Sequence, residues 1–280
     1  MKSQPIQKKR KPSIAGFSMV EMLVVVAIFS IILGAIFKQI EASQQRYQTE
    51  DQKLDLTQQT REFIDQFTRD LHQSGFPSQQ MYGNRFSLVT APETHAANSN
   101  LIAAGLWFVS PTDVAFEGDL DGLGNVQVIQ YHYDDGSTWN TANGPNPCPC
   151  IRRSSVAKVA GNPWDQTAPI FYTEVQNLVA PTANTPVFSF YQANGSIVTV
   201  PAGTLQINNS PPIQSPTCST SPCGIVLGDN TNGIDRIAQG NLLAIKTIRI
   251  NLTTQGKRKD ALTGQSIQVN MVGSARLPNN

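Results

Sequence analysis

An apolar run from Met22 to Phe37, entered through Gly16-Phe17-Ser18-Met19-Val20-Glu21, limits what this chain can become more than any other feature. As a helix, Met19 to Phe37 spans about 28 Å, close to a bilayer core of about 30 Å. Between Phe17 and Phe37 the only charge is Glu21. Five bases, Lys2, Lys8, Lys9, Arg10 and Lys11, precede Gly16 with no acid among them. Bases on that side place it in the cytoplasm. The residues beyond the run then face the periplasm or the exterior.

The order of these parts is unusual. A secretory signal peptide carries its small-residue cleavage site after the apolar core. Here Ala15-Gly16 comes before the core, so cleavage would remove the bases and leave the helix on the product. Glu21 is then an expensive carboxylate near the end of a membrane helix, a kind of residue usually retained for a partner or pathway. Gly, then Phe, then Glu five residues after Gly16, then an uninterrupted apolar helix, resembles the class III leader of type IV prepilins and type II secretion pseudopilins. The likeness covers about residues 8 to 40.

The resemblance implies specific roles. Gly16 would precede the bond cut by prepilin peptidase, Phe17 would be the N-methylated new N-terminus, and Glu21 would pair with the terminal amine of a neighbouring subunit during helix bundling. A buried carboxylate is costly alone and a cationic amine offsets that cost. The implied partners are the peptidase, other minor and major pilins or pseudopilins, and the inner membrane. The implied location is a single-pass inner-membrane protein with a periplasmic head, later a pilus or pseudopilus, in a Gram-negative-type envelope. Among such proteins the chain looks most like the PilW type of minor pilin, with the J-type pseudopilin of type II secretion as the second reading. A rival from another class is a periplasmic enzyme or binding protein on an ordinary signal anchor.

The 280 residues suffice for one sizeable domain plus an appendage. Without the residues up to Gly16, 16 bases face 20 acids, a net charge of −4. Such a mildly acidic chain has no electrostatic footprint for nucleic acid as its primary ligand.

Past Lys38 the pattern turns polar without Pro or Gly, and Leu56, Phe63, Ile64, Phe67 and Leu71 then form a stripe of 3.6-residue period. Gly75-Phe76-Pro77 predicts the stop. The organisation expected is a leader (1–16), a transmembrane and assembly helix (17–38), an amphipathic continuation (39–75) and a β-rich head (76–280). Strands are expected at Phe86 to Ala91, Leu101 to Val109, Val126 to Tyr133, Ile170 to Val175, Val187 to Tyr191 and Ile197 to Val200. Asn194-Gly195 marks a tight hairpin. The stretches around Ile248-Ile250-Leu252 and Ile267-Val269-Met271 form a closing pair linked by polar residues 254–264. A helix stripe on an antiparallel sheet is an α+β fold, and the resemblance implies the same pilin-like arrangement. Long Pro/Asn/Ser-rich loops are expected at about 134–150 and 201–233.

Those loops hold the four cysteines, Cys148, Cys150, Cys218 and Cys223. An even count beyond a membrane anchor favours disulfides, with three connectivities open. Their spacings lack the two-residue knuckle of most four-thiolate zinc sites. Glu117-Gly118-Asp119-Leu120-Asp121-Gly122 imitates the start of a calcium loop. Val128 stands where the bidentate Glu of an EF-hand belongs, so Glu117, Asp119 and Asp121 form either a calcium-stabilised turn or, more economically, an acidic turn without metal. No other cofactor is implied.

Catalytic signatures are missing, and no enzyme activity is expected. None of His72, His95 and His132 lies in a metalloprotease motif or beside a nucleophile turn. His72 suits a helix C-terminus, and His132, between Tyr131 and Tyr133, is expected to point outward. Glu174 and Asp235 are unpaired single acids. The aromatics Trp107, Trp139, Trp164, Tyr131, Tyr133 and Tyr172 could line a ligand surface, although aromatics in a β head are more often core, and they are left unassigned.

Overall fold

The computed structural model describes residues 16, 18–78, 101–103, 105–137, 148–159, 170–200, 225–226, 242–260 and 263–278. It divides into two units, Met1–Gln48 and Thr49–Asn280. The division falls within a single helix, α1 (Met19–His72).

In the first unit, the apolar side chains of α1 from Met19 to Ile40 are almost all exposed. By length and composition this helix could cross a membrane, and none of its most apolar window is buried. With no water to hydrogen-bond its backbone in a bilayer, a helix is the form such a run must take.

In the second unit α1 buries Leu56, Thr60, Phe63, Phe67, Asp70 and Leu71, the stripe expected from the sequence with Thr60 and Asp70 added and Ile64 half-buried. Thr60 is tolerated because its hydroxyl donates to the Leu56 carbonyl at 2.7 Å. The helix ends at His72, and Gly75 follows with φ 74°.

The strands are β1 (Leu106–Val109), β2 (Asp113–Gly118), β3 (Gln127–Asp135), β4 (Pro149–Ala157), β5 (Phe171–Gln176), β6 (Phe188–Tyr191), β7 (Ile197–Val198), β8 (Ile225–Val226), β9 (Thr247–Lys259) and β10 (Ser266–Arg276). They form two sheets, of order β5-β4-β3-β2-β1-β8 and β10-β9-β6-β7, with antiparallel pairing throughout. The fold is α+β, as the patterning indicated. Phe67 joins the layers: its ring lies 5.0 Å from Tyr131 on β3 and 5.7 Å from Phe188 on β6. Burial of aromatics this size supplies much of the driving force.

Several expectations are corrected. There are two sheets where one was expected, and β2 and β4 were not anticipated. The 134–150 loop is shorter than expected, because β3 continues to Asp135 and β4 begins at Pro149. Residues 225–226 pair with β1 within the expected 201–233 loop. β9 runs on to Lys259 through residues taken as a linker. The expected strand at Phe86 to Ala91 lies outside the described residues.

Candidate functional site

The helix start is built by three local hydrogen bonds. Ser18 precedes the first helical residue, and its hydroxyl accepts the Val20 N–H at 3.4 Å. Glu21 reaches back, its Oε2 accepting the Ser18 N–H at 3.0 Å. The Ser18 carbonyl accepts the Met22 N–H at 3.2 Å. This is close to a capping box, and the Ser-x-x-Glu spacing that encodes it is visible in the sequence. A carboxylate there also suits the positive end of the helix dipole. Gly16 and Glu21 are exposed; Phe17 lies outside the described residues.

The other expected ligand groups are engaged within the head. Among the described residues Glu117, Asp119 and Asp121 do not gather as a metal-ligand cluster, and each carboxylate accepts hydrogen bonds of its own. Glu117 is fully buried at the end of β2, and its Oε2 accepts from Lys158 Nζ at 2.7 Å. Lys158 also donates to the Ile102 carbonyl at 2.7 Å. The Asp119 oxygens accept the Gly122 and Gly124 N–H groups at 2.9 and 2.8 Å, and Asp121 accepts that of Leu123 at 2.9 Å. The turn therefore supplies backbone donors to its own acids.

Cys148 and Cys150 are joined by a disulfide. Cys150 lies within β4 and not in a loop, while Cys218 and Cys223 lie outside the described residues. Of the histidines, His72 is exposed at the end of α1 and His95 is outside the described residues. His132 is buried, against expectation. Strand alternation does turn it away from α1, but that face of the sheet is also covered, and Asp113 directly opposite on β2 meets its Nδ1 at 2.5 Å. Asp113 Oδ2 also accepts the Ser110 and Thr112 hydroxyls at 3.0 and 2.6 Å. The serine thus donates to the carboxylate and not to the imidazole, an order unlike that of a nucleophilic triad.

Sequence reasoning missed the ion pairs because their partners are remote in the chain. On the face bearing His132, Asp134 Oδ2 accepts Arg152 Nε and Nη2 at 3.0 and 2.8 Å, with both residues buried. On the opposite face Asp70 of α1 accepts from the Tyr131 hydroxyl at 2.6 Å and Arg153 Nε at 2.8 Å. Burial pushes the Tyr131 phenol well above its usual range, and the Asp70 carboxylate raises it further. Burial also raises Glu174, opposed by Arg153. Trp107, Tyr131 and Tyr133 are core, whereas Tyr172 is exposed; Trp139 and Trp164 are outside the described residues.

Residues 11–37 match the family described as the prokaryotic N-terminal methylation motif. The match and the capped apolar helix together indicate a prepilin-processed protein similar to type IV pilins and pseudopilins. Processing by prepilin peptidase, membrane anchoring and assembly with other pilin-like chains go with that motif. Neither a curated protein nor a solved structure matches the chain.

Proposed function

We propose that the chain is a minor type IV pilin, cut after Gly16, N-methylated at Phe17, and built into a pilus or its priming complex by its N-terminal helix. One observation carries the reading: the methylation-motif stretch, residues 11–37, runs into a helix whose apolar first part lies open and carries, up to Phe37, the single charge of Glu21, exposed at its start. An apolar surface of that extent must be covered by lipid or by other helices. The lipid serves before assembly and neighbouring subunits serve afterwards. The head, in which Asp113, Glu117, Asp119, Asp121 and Asp134 are committed to internal ion pairs and turns, acts as a structural and recognition module in the periplasm or at the pilus, without catalysis.

Glu21 is the test. Its bond to the Ser18 N–H is local and solvent-exposed, so exchange for the amine of another subunit loses little. Glu21→Ala should be cleaved normally in cells containing prepilin peptidase, with the mass of the methylated Phe17 terminus, yet be absent from sheared pili. Normal incorporation would refute the assembly role. An uncut N-terminus in such cells would refute the prepilin reading altogether. A deletion that abolishes protein secretion while leaving motility and DNA uptake intact would select the pseudopilin reading.

A further inference from the structure

We propose that the Cys148–Cys150 disulfide is an exchangeable redox site, in which Cys148 reacts with an external dithiol and Cys150 is the buried resolving thiol. The inference is independent of filament assembly.

As a staple the bond has little to do. Its two cysteines are separated by two positions, and the chain-entropy gain from a crosslink is smallest for the shortest loops. It ties no second element to β4, which is already paired with β3 from Gln127↔Ala157 to Asp135↔Pro149.

Its surroundings are those of an exchange site. The two sulfurs differ in access: Cys148 is partly exposed and Cys150 is fully buried. The buried guanidinium of Arg152 places Nη2 3.5 Å from Cys148 Sγ. A cation at that position favours a thiolate on Cys148, both as nucleophile and as leaving group. Asp134 opposes it, but its charge is partly offset by the Arg152 fork on Oδ2. That oxygen also accepts the Cys148 N–H at 3.3 Å, and its partner oxygen accepts the Gly136 N–H at 2.8 Å. The other titratable groups nearby are Asp135, opposite Pro149, and the Asp113–His132 pair, whose His132 stands directly opposite Arg152 on β3. β5 brings the uncharged Gln176 and Thr173 opposite Cys150 and Arg152. Asp134 and the two cysteines place ligand atoms within 4.8 Å of one another. Both Asp134 oxygens are nevertheless taken and a guanidinium stands beside them, which favours thiol exchange over a cation.

The exchange balances with a dithiol as the reductant. One thiolate of the dithiol attacks Cys148 Sγ; a mixed disulfide forms, the Cys148–Cys150 bond breaks, and Cys150 leaves as a thiolate that takes a proton. The second thiolate of the dithiol then attacks its own sulfur in the mixed disulfide. It closes a cyclic disulfide and releases Cys148 as a thiolate beside Arg152. Two electrons pass to the protein, and the reverse sequence returns them.

The full-length protein in mild detergent, without denaturant, would be incubated with graded dithiothreitol, acid-quenched, alkylated and mapped by mass spectrometry. The 148–150 pair should open in the folded protein, and oxidised glutathione added to the reduced protein should form a transient adduct, trapped by an early acid quench on Cys148 before Cys150 expels it. A pair that opens only after denaturant is added, or an adduct on Cys150, would overturn the proposal. In Cys150→Ser, shown to be folded by an unchanged limited-proteolysis pattern, Cys148 should be alkylated at pH 6 at least about threefold faster than glutathione, the net of a larger thiolate fraction and a lower intrinsic nucleophilicity. A rate at or below that of glutathione would overturn the role given to Arg152. The wild-type mapping decides the access argument even if that variant misfolds.

Discussion

Raising the pH above 10 should destabilise the head through Tyr131, and Tyr131→Phe should remove that loss. The phenol is 1% exposed and donates to Asp70 Oδ2 at 2.6 Å. Burial first, and the Asp70 carboxylate second, raise it well above 10.0, against the opposing pull of Arg153. The unfolded chain releases this proton near pH 10 while the folded chain keeps it. Above pH 10 the unfolded state therefore binds fewer protons, and stability falls as pH rises, by about 1.4 kcal/mol per pH unit at the limit. Integrated from pH 9, where almost nothing is lost, the deficit becomes on the order of 1 kcal/mol at pH 11. Tyr133 is also raised, by burial and then by Asp135 and Asp134, so wild type alone would not isolate the effect. The comparison does. At pH 8, Tyr131→Phe should be less stable than wild type by about 1–2 kcal/mol, having lost a buried hydrogen bond to a charged group. That gap should close by on the order of 1 kcal/mol between pH 9 and pH 11. Guanidinium titrations of the detergent-solubilised protein, followed by tryptophan fluorescence, would measure it. A gap that stays constant over that range would refute the buried, Asp70-bound phenol.

Three further outcomes follow from the same contacts. Lys158→Met should cost about 3–5 kcal/mol by leaving Glu117 buried without its cation, and adding Glu117→Leu should recover most of it; additive losses in denaturant titrations would disprove the pairing. Gly118→Ala should cost about 1–3 kcal/mol, because its Cβ would stand 2.5 Å from the Gln73 carbonyl oxygen at the end of α1; an unchanged unfolding midpoint would disprove that close approach. Millimolar Ca²⁺ should leave the thermal midpoint unchanged and produce no calorimetric heat, since Asp119 and Asp121 already accept turn N–H groups and Glu117 faces Lys158; a midpoint shift lost in Asp119→Ala plus Asp121→Ala would restore the metal reading.

What could be read from the sequence was what is encoded locally. The stripe Leu56-Phe63-Phe67-Leu71 and the alternation in β9 repeat within a few residues, so their periods specify both element and buried face. The strands that escaped notice, β2 and β4, carry Asp113, Glu117, Arg152 and Arg153, and charges in a short run read as solvated loop. They are strands because each charge meets a partner supplied from elsewhere: His132 is 19 residues from Asp113, Asp134 is 18 from Arg152, Lys158 is 41 from Glu117 and Asp70 is 83 from Arg153. No local window contains both members of such a pair. The same reasoning separates the three kinds of acid in this chain. Glu117, inside a strand, is spent on the buried far side of its sheet. Asp119, in a turn, is spent on that turn's N–H groups. Glu21 has only a local, exposed bond to the Ser18 N–H. Of these, Glu21 is the carboxylate a second subunit can recruit without dismantling the head, which is why the motif could be read at the helix start, whereas the carboxylates at 117–121 serve Lys158 and their own turn.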